Sequence, residues 1–222
     1  MNRTCKVSGC SKPARSPQGT MCEAHRQRWR RHGDPKQQAV SKHDIEPFVK
    51  QVRATIEKDS SGRIEAGLNK LRGLLEAHAR SVIAESKRGA MSGYRLKAAH
   101  EMLRVLQNVD AVTCACVIAA TYLLQEQNPR RFTSDRGFSF QLVRRFRALT
   151  DLNAGTYYNN KTGKVHRVYR DLPAQVTELI SRTLIHAYQT FIALIVKRAR
   201  KKAEESELAV ELIKKGFGSL EK

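Results

Sequence analysis

The sequence has few acidic and few aromatic residues. Only 21 Asp and Glu are present beside 41 Lys and Arg in 222 residues, and Phe, Trp and Tyr together make up 6% of the chain. The resulting formal charge of +20 favours polyanionic partners, either nucleic acid or an anionic membrane surface. A basic protein that uses its charge only for solubility is the alternative. The hydrophobic share of 41% is enough for a packed core.

Long apolar segments are also lacking. The longest nearly apolar run, 112–124, is shorter than the roughly 20 residues of a membrane-spanning helix. It therefore predicts a buried core helix, and we expect no membrane partner. The amino-terminal residues lack the apolar stretch of a secretory signal, and the five cysteines are an odd number. These absences argue against a disulfide framework and predict a cytoplasmic protein.

Catalytic motifs are the third absence. The sequence contains no P-loop, no dinucleotide-binding glycine fingerprint and no nucleophile elbow. The histidines outside the amino-terminal region lack a cysteine or carboxylate at catalytic spacing. They are His78, His100, His166 and His186. We therefore assign no catalytic residue and favour a protein without enzymatic activity.

Metal ligands are present near the start of the chain. Cys5 and Cys10 enclose four residues, and Cys22 and His25 enclose two. Three thiolates and one imidazole suit a closed, tetrahedral, structural Zn²⁺ site, so we predict one zinc ion. Residues 1–35 have no hydrophobic core of their own, and in so small a segment a metal substitutes for one.

Two further cysteines, Cys114 and Cys116, do not form a second site in this interpretation. Two residues apart on a helix, their side chains point in roughly opposite directions, so they cannot hold one ion. We predict that both are small buried apolar side chains.

Beyond the ligands, glycines and an arginine-rich tail complete a recognisable pattern. The residues concerned are Gly9, Cys10, Gly19, Cys22, His25 and the run 28–35 (RWRRHGDP). This segment of about 31 residues, 5–35, resembles the small zinc finger found with HNH-type proteins of bacteriophages and bacteria. The resemblance implies a treble-clef-like knuckle followed by a helix, association with DNA, and a bacterial host cell. It does not imply a nuclease, because His32 and His43 lack the partners that the HNH catalytic unit requires.

Basic residues are concentrated in two regions that we predict to bind nucleic acid. The first is the helix expected after the second ligand pair, where arginines can engage phosphates and guanine edges. The second is 130–170, with ten Lys and Arg against two acids, interleaved with aromatics. In this second region a solvated basic face is a close alternative. The predicted contacts are Arg26, Arg28, Arg30, Arg31, Arg144, Arg145, Arg147, Lys161, Lys164 and Arg167.

Hydrophobic periodicity and turn residues predict a mainly α fold with one inserted β-hairpin. We expect a treble-clef-like zinc module at 1–38, a multi-helix domain at 39–215 and a tail at 216–222. A polar linker is expected at 36–43. The first predicted helix ends near Asp59, and two further helices follow at 61–88 and 94–127. A short helix closing near Asp151, a hairpin at 156–170 and a long helix from Asp171–Pro173 to about Gly216 complete the prediction.

These features favour a zinc-containing protein that binds nucleic acid, with double-stranded DNA preferred over RNA. Its origin would be a phage or mobile element and its role regulatory or accessory. Two alternatives stay open. One is an HNH-related nuclease whose metal-dependent site is assembled from distant Asp, Glu and His. The other is a protein that docks on host machinery such as RNA polymerase through its zinc module, and a protein partner could also bind the helical domain. The oligomeric state is left open.

Overall fold

The computed structural model describes residues 3–89, 91–150, 155–168 and 171–218. Helices dominate this part of the chain, with a single antiparallel hairpin of strands β1 and β2. The elements are α1 (Glu23–His32), α2 (Lys42–Glu57), α3 (Arg63–Ser86), α4 (Gly93–Asn108), α5 (Ala111–Gln127), a 3₁₀ turn (Pro129–Arg131), α6 (Asp135–Arg147), β1 (Gly155–Asn159), β2 (Lys164–Val168) and α7 (Ala174–Gly218). The mainly α fold with an amino-terminal Cys and His cluster is confirmed.

Several helix starts follow from side-chain caps in the sequence. Ser41 begins α2 through a capping box with Asp44, and Ser134 begins α6 by accepting a hydrogen bond from the Gly137 amide. The hairpin turns where predicted, with Gly163 at a φ of 64° in the left-handed region. The last two predicted hairpin residues, 169–170, and the last four of the tail, 219–222, lie outside the described residues.

The predicted single helix 94–127 is wrong. The structure has two helices, α4 and α5, which meet at an angle of 119°. The break has a local cause, because the Asp110 side chain accepts a hydrogen bond from the Thr113 amide and so caps a new helix. The long helix at the other end of the chain also differs, continuing to Gly218 instead of fraying near Gly216.

The core is centred on α5. Its residues Cys114 and Cys116 have no exposed surface, as predicted, and burial raises the pKa of their thiols to about 12 and about 11. The helix α7 packs against α4, α5 and α6. Among the described residues, Ala174–Leu208 is long and apolar enough to cross a membrane, and so is the bent α4–α5 pair when it is taken as one span. The buried stripe of α7, including Ile180, Leu184 and Tyr188, belongs to the core.

Residues 36–43 are not the exposed polar linker that the sequence suggested. Gln37 is fully buried, and its amide oxygen accepts a hydrogen bond from the Thr133 amide. Val40 is 1% exposed, and its amide donates to Oε1 of Gln141 on α6. This segment therefore ties the chain that leaves α1 to the helical core. The boundary between modules 1–38 and 39–215 stays a prediction.

Candidate functional site

The four predicted metal ligands come together in the structure. Nδ1 of His25 lies 3.4 Å from Sγ of Cys5 and 3.3 Å from Sγ of Cys22, and the Cys10 and Cys22 sulfurs are 3.9 Å apart. All four ligand atoms lie within 4.8 Å of one another. Tetrahedral zinc bonds of about 2.3 Å to sulfur and about 2.0 Å to nitrogen give separations of about 3.6 to 3.8 Å between ligand atoms. The donor set and its spacing therefore fit a closed four-coordinate zinc site.

The chain around Cys5 and Cys10 forms the predicted knuckle. The Cys10 amide donates to the Val7 carbonyl at 3.0 Å, and Gly9 between them has a φ of 82°. Glycine suits this position because residues with a Cβ are strained in the left-handed region. A bridge between Thr4 and Pro13 closes the two sides of the knuckle.

The second ligand pair is fixed by the start of α1. Cys22 is the N-cap residue and His25 lies on the first turn, so the two side chains lie on the same side of the helix. Burial of the Cys5 sulfur acts to raise its pKa, but hydrogen bonds from the backbone of Cys22 and Val7 and with the side chains of His25 and Cys10 together outweigh it and lower the pKa to about 6. A thiolate at neutral pH is the form that binds a metal.

Helix α1 begins at the Cys and His cluster and packs against α6. Gly33 ends α1 with a φ of 79°, and a Cβ at this position would lie 2.7 Å from the Phe140 ring and 2.8 Å from the Arg136 carbonyl. Trp29 lies on α1 one turn before Gly33, and the guanidinium of Arg136 lies 4.9 Å from the centre of its ring. Trp29 thus contacts α6, and 38% of its surface is exposed.

A buried amide fixes the protonation of His32 at the same contact. Oε1 of Gln141 accepts from the Val40 amide, so its Nε2 is the donor to Nδ1 of His32, at 3.1 Å. His32 is therefore a neutral imidazole with its proton on Nε2. Burial, together with the charges of Arg144 and of the arginines Arg28 and Arg31, lowers its pKa to about 4.

The arginines predicted on α1 divide into two kinds. Arg26 and Arg28 are exposed and form no ion pair among the described residues. Arg30 and Arg31 are also exposed, but both lie near the Asp171 carboxylate, at 3.7 and 3.5 Å. Two of the four thus contact only solvent, and two share the carboxylate of Asp171, which lies three residues before α7.

The arginines predicted on α6 are less accessible. Arg147 donates to Oε2 of Glu101 at 2.9 Å, and the two side chains are 15% and 17% exposed, so this pair belongs to the interior. Arg144 and Arg145 are partly buried, and burial lowers the pKa of each guanidinium. The Nε atoms of both are buried with no hydrogen-bond partner among the described residues.

The hairpin places two predicted contacts on the surface. Lys161 lies in the turn and Lys164 begins β2, and both are exposed. Arg167 is on β2, but its side chain lies outside the described residues.

Three residues that sequence reasoning missed organise this region. Asp171 was read only as a helix start, yet it pairs with Arg30 and Arg31. Gln37 and Gln141 lie in polar or amphipathic stretches and gave no signal, because their roles depend on partners about a hundred residues away.

Comparison of the chain with protein-family models, curated proteins and solved structures finds no match. The resemblance to an HNH-associated zinc finger therefore rests on the residues of 5–35 alone.

Proposed function

We propose that the protein binds nucleic acid, with double-stranded DNA preferred over RNA, through a helix that a structural zinc ion holds in place. The observation that carries the proposal is the position of Arg26 and Arg28. Both lie within three residues of His25, on the helix α1. The first turn of this helix would be fixed by the two ligands Cys22 and His25. The helix backbone at these two positions is already ordered, and the planar guanidinium fork loses less entropy for each hydrogen bond that it forms with a phosphate than a flexible donor would.

The zinc ion would have a structural role. Cys5, Cys10, Cys22 and His25 would hold it and leave no open position for water or substrate. Its binding would supply the folding free energy that residues 3–22 lack, since this segment has no helix and only one isolated bridge.

Duplex DNA is favoured by the charge and by the shape of the basic elements. The chain carries a formal charge of +20, which suits a polyanion with closely spaced phosphates. A helix and a two-stranded ribbon both fit the major groove, and the protein presents α1 with its arginines and a hairpin with Lys161 and Lys164. A regulatory or accessory role in the cytoplasm of a bacterial host, for a phage or mobile element, is part of the proposal.

The experiment is electrophoretic mobility of the zinc-loaded chain with duplex DNA, single-stranded DNA and RNA, with and without Mg²⁺. Retarded, intact duplex is the expected result. Cleavage in Mg²⁺ would favour a nuclease, and absence of binding at moderate salt would favour a protein-docking role. The Cys22→Ser variant, which loses a zinc ligand, is expected to bind more weakly than Cys114→Ser.

A further inference from the structure

A small cavity lies where α1, α6 and the start of α7 meet. Its volume is about 30 Å³, and its charged lining residues are Arg30, Arg31, Arg144, Arg147 and Asp171. A space of this size holds one or two water-sized groups. It is therefore matched to the oxygens of a small anionic group and not to a base or a sugar.

The positive charges at this cavity exceed the negative charge. Arg147 is engaged by Glu101, which leaves the guanidinium groups of Arg30, Arg31 and Arg144 to share the carboxylate of Asp171. The two ion-pair distances, 3.7 and 3.5 Å, are longer than a charge-assisted hydrogen bond of about 2.7 to 2.9 Å. The ion pairs of Asp171 with Arg30 and Arg31 are therefore weaker than direct charge-assisted hydrogen bonds.

Arg144 is the most constrained of the three. Its Nε is buried without a hydrogen-bond partner among the described residues. Burial lowers the pKa of its guanidinium. The charge of Asp171 acts to raise this pKa, and the charges of Arg31 and Arg147 lower it further. Leaving a buried charged donor unsatisfied is costly, so a further anion at the cavity would be favourable.

We propose that this cavity binds one backbone phosphate of the nucleic acid and that Asp171 is the internal anion which the phosphate displaces. This inference rests on the proposed function and deepens it. A phosphodiester offers two free oxygens to forked guanidinium donors, as a carboxylate does, but a strand brings the phosphate with its further contacts. A wider groove of about 620 Å³, lined by Trp29, Lys97 and Arg136, meets the cavity at Arg30 and Asp171 and gives the strand a path.

The test is equilibrium binding of a short fluorescent DNA duplex to the full-length, zinc-loaded chain. Asp171→Asn is expected to tighten binding about two- to fivefold, because removal of the competing carboxylate frees both arginines. Glu46→Gln, which makes the same change of charge on α2, is the matched control and is expected to change binding less. A gain in affinity is a readout that partial unfolding cannot produce.

The second part of the test removes a positive charge from the cavity. Arg144→Gln is expected to weaken binding about tenfold or more, since a charge-assisted contact is lost. Arg63→Gln, at the start of α3, is its control. Asp171→Asn with the affinity of Glu46→Gln would overturn the proposal, as would Arg144→Gln with the affinity of Arg63→Gln. Suppose that one of these two overturning results is found and that the Arg26 and Arg28 double variant nevertheless loses binding. The assignment of a phosphate to the cavity is then wrong, while the proposed function stands. Absence of duplex binding by the wild-type chain contradicts both.

Discussion

Substitution of Gly33 by alanine tests whether α1 is held in place by its contact with α6. Gly33 has a φ of 79°, and the added Cβ would lie 2.8 Å from the backbone carbonyl of Arg136, which cannot rotate away as a side-chain tip would. Left-handed backbone costs alanine about 1 to 2 kcal/mol. Overpacking costs about 1 to 3 kcal/mol more. We therefore expect Gly33→Ala to lower the free energy of unfolding by about 2 to 5 kcal/mol.

Gly62→Ala separates the two contributions. Gly62 also has a positive φ, 65°, but no atom lies within 4 Å of the position of its Cβ. It should therefore carry only the backbone cost, about 1 to 2 kcal/mol. The effect of alanine on the unfolded chain is common to both variants and cancels in the comparison.

Urea unfolding of the zinc-loaded chain, followed by circular dichroism and by tryptophan fluorescence, measures both variants. Trp29 is the only tryptophan, and it contacts Arg136 at the interface under test. Gly33→Ala should shift its emission toward that of an exposed indole before the helices unfold, whereas Gly62→Ala should not. Equal losses of stability in the two variants, with unchanged Trp29 emission, would refute the close packing of α1 on α6.

Three further expectations concern the metal, the buried histidine and the module boundary. Elemental analysis after dialysis should give about one zinc per chain, lost in Cys22→Ser but kept in Cys114→Ser, and equal loss in both would overturn the ligand assignment. Because the pKa of His32 falls from 6.5 to about 4, the unfolded chain binds a proton between these values that the folded chain does not. Stability should therefore decrease as the pH falls from 6.5 toward 4. His32→Gln should show a shallower decrease, and identical profiles would contradict the assignment. Deletion of 1–38 should leave a helical protein that melts cooperatively but at lower temperature, since Gln37 and its hydrogen bonds are lost; an aggregated product would place the zinc module within the core.

Local chemistry made much of the fold predictable. The β-hairpin and the Cys and His cluster depend on residues close in sequence, and each was found from its pattern. The break at Asp110 was missed although its capping signal is local, because the apolar periodicity continues through it and suggested a single helix.

The docking of α1 on α6 could not be read from the sequence. It depends on contacts between residues about a hundred positions apart, such as His32 with Gln141, and on the space available at Gly33. Charge pattern also failed to distinguish an arginine on the surface from one in the interior. Arg26 and Arg147 occur in equally basic runs, yet one is exposed and the other is paired with Glu101.

The salt dependence of duplex DNA binding tests the central claim most directly. Each phosphate contact contributes about 0.9 to the slope of log K against log salt. Replacing Arg26 and Arg28 with alanine should weaken binding and reduce the slope by up to about 2, while the same change at Arg63 and Arg88, near the two ends of α3, should leave the slope close to that of the wild type. Wild-type affinity and slope in the Arg26 and Arg28 double variant would contradict a nucleic-acid role for the zinc-held helix.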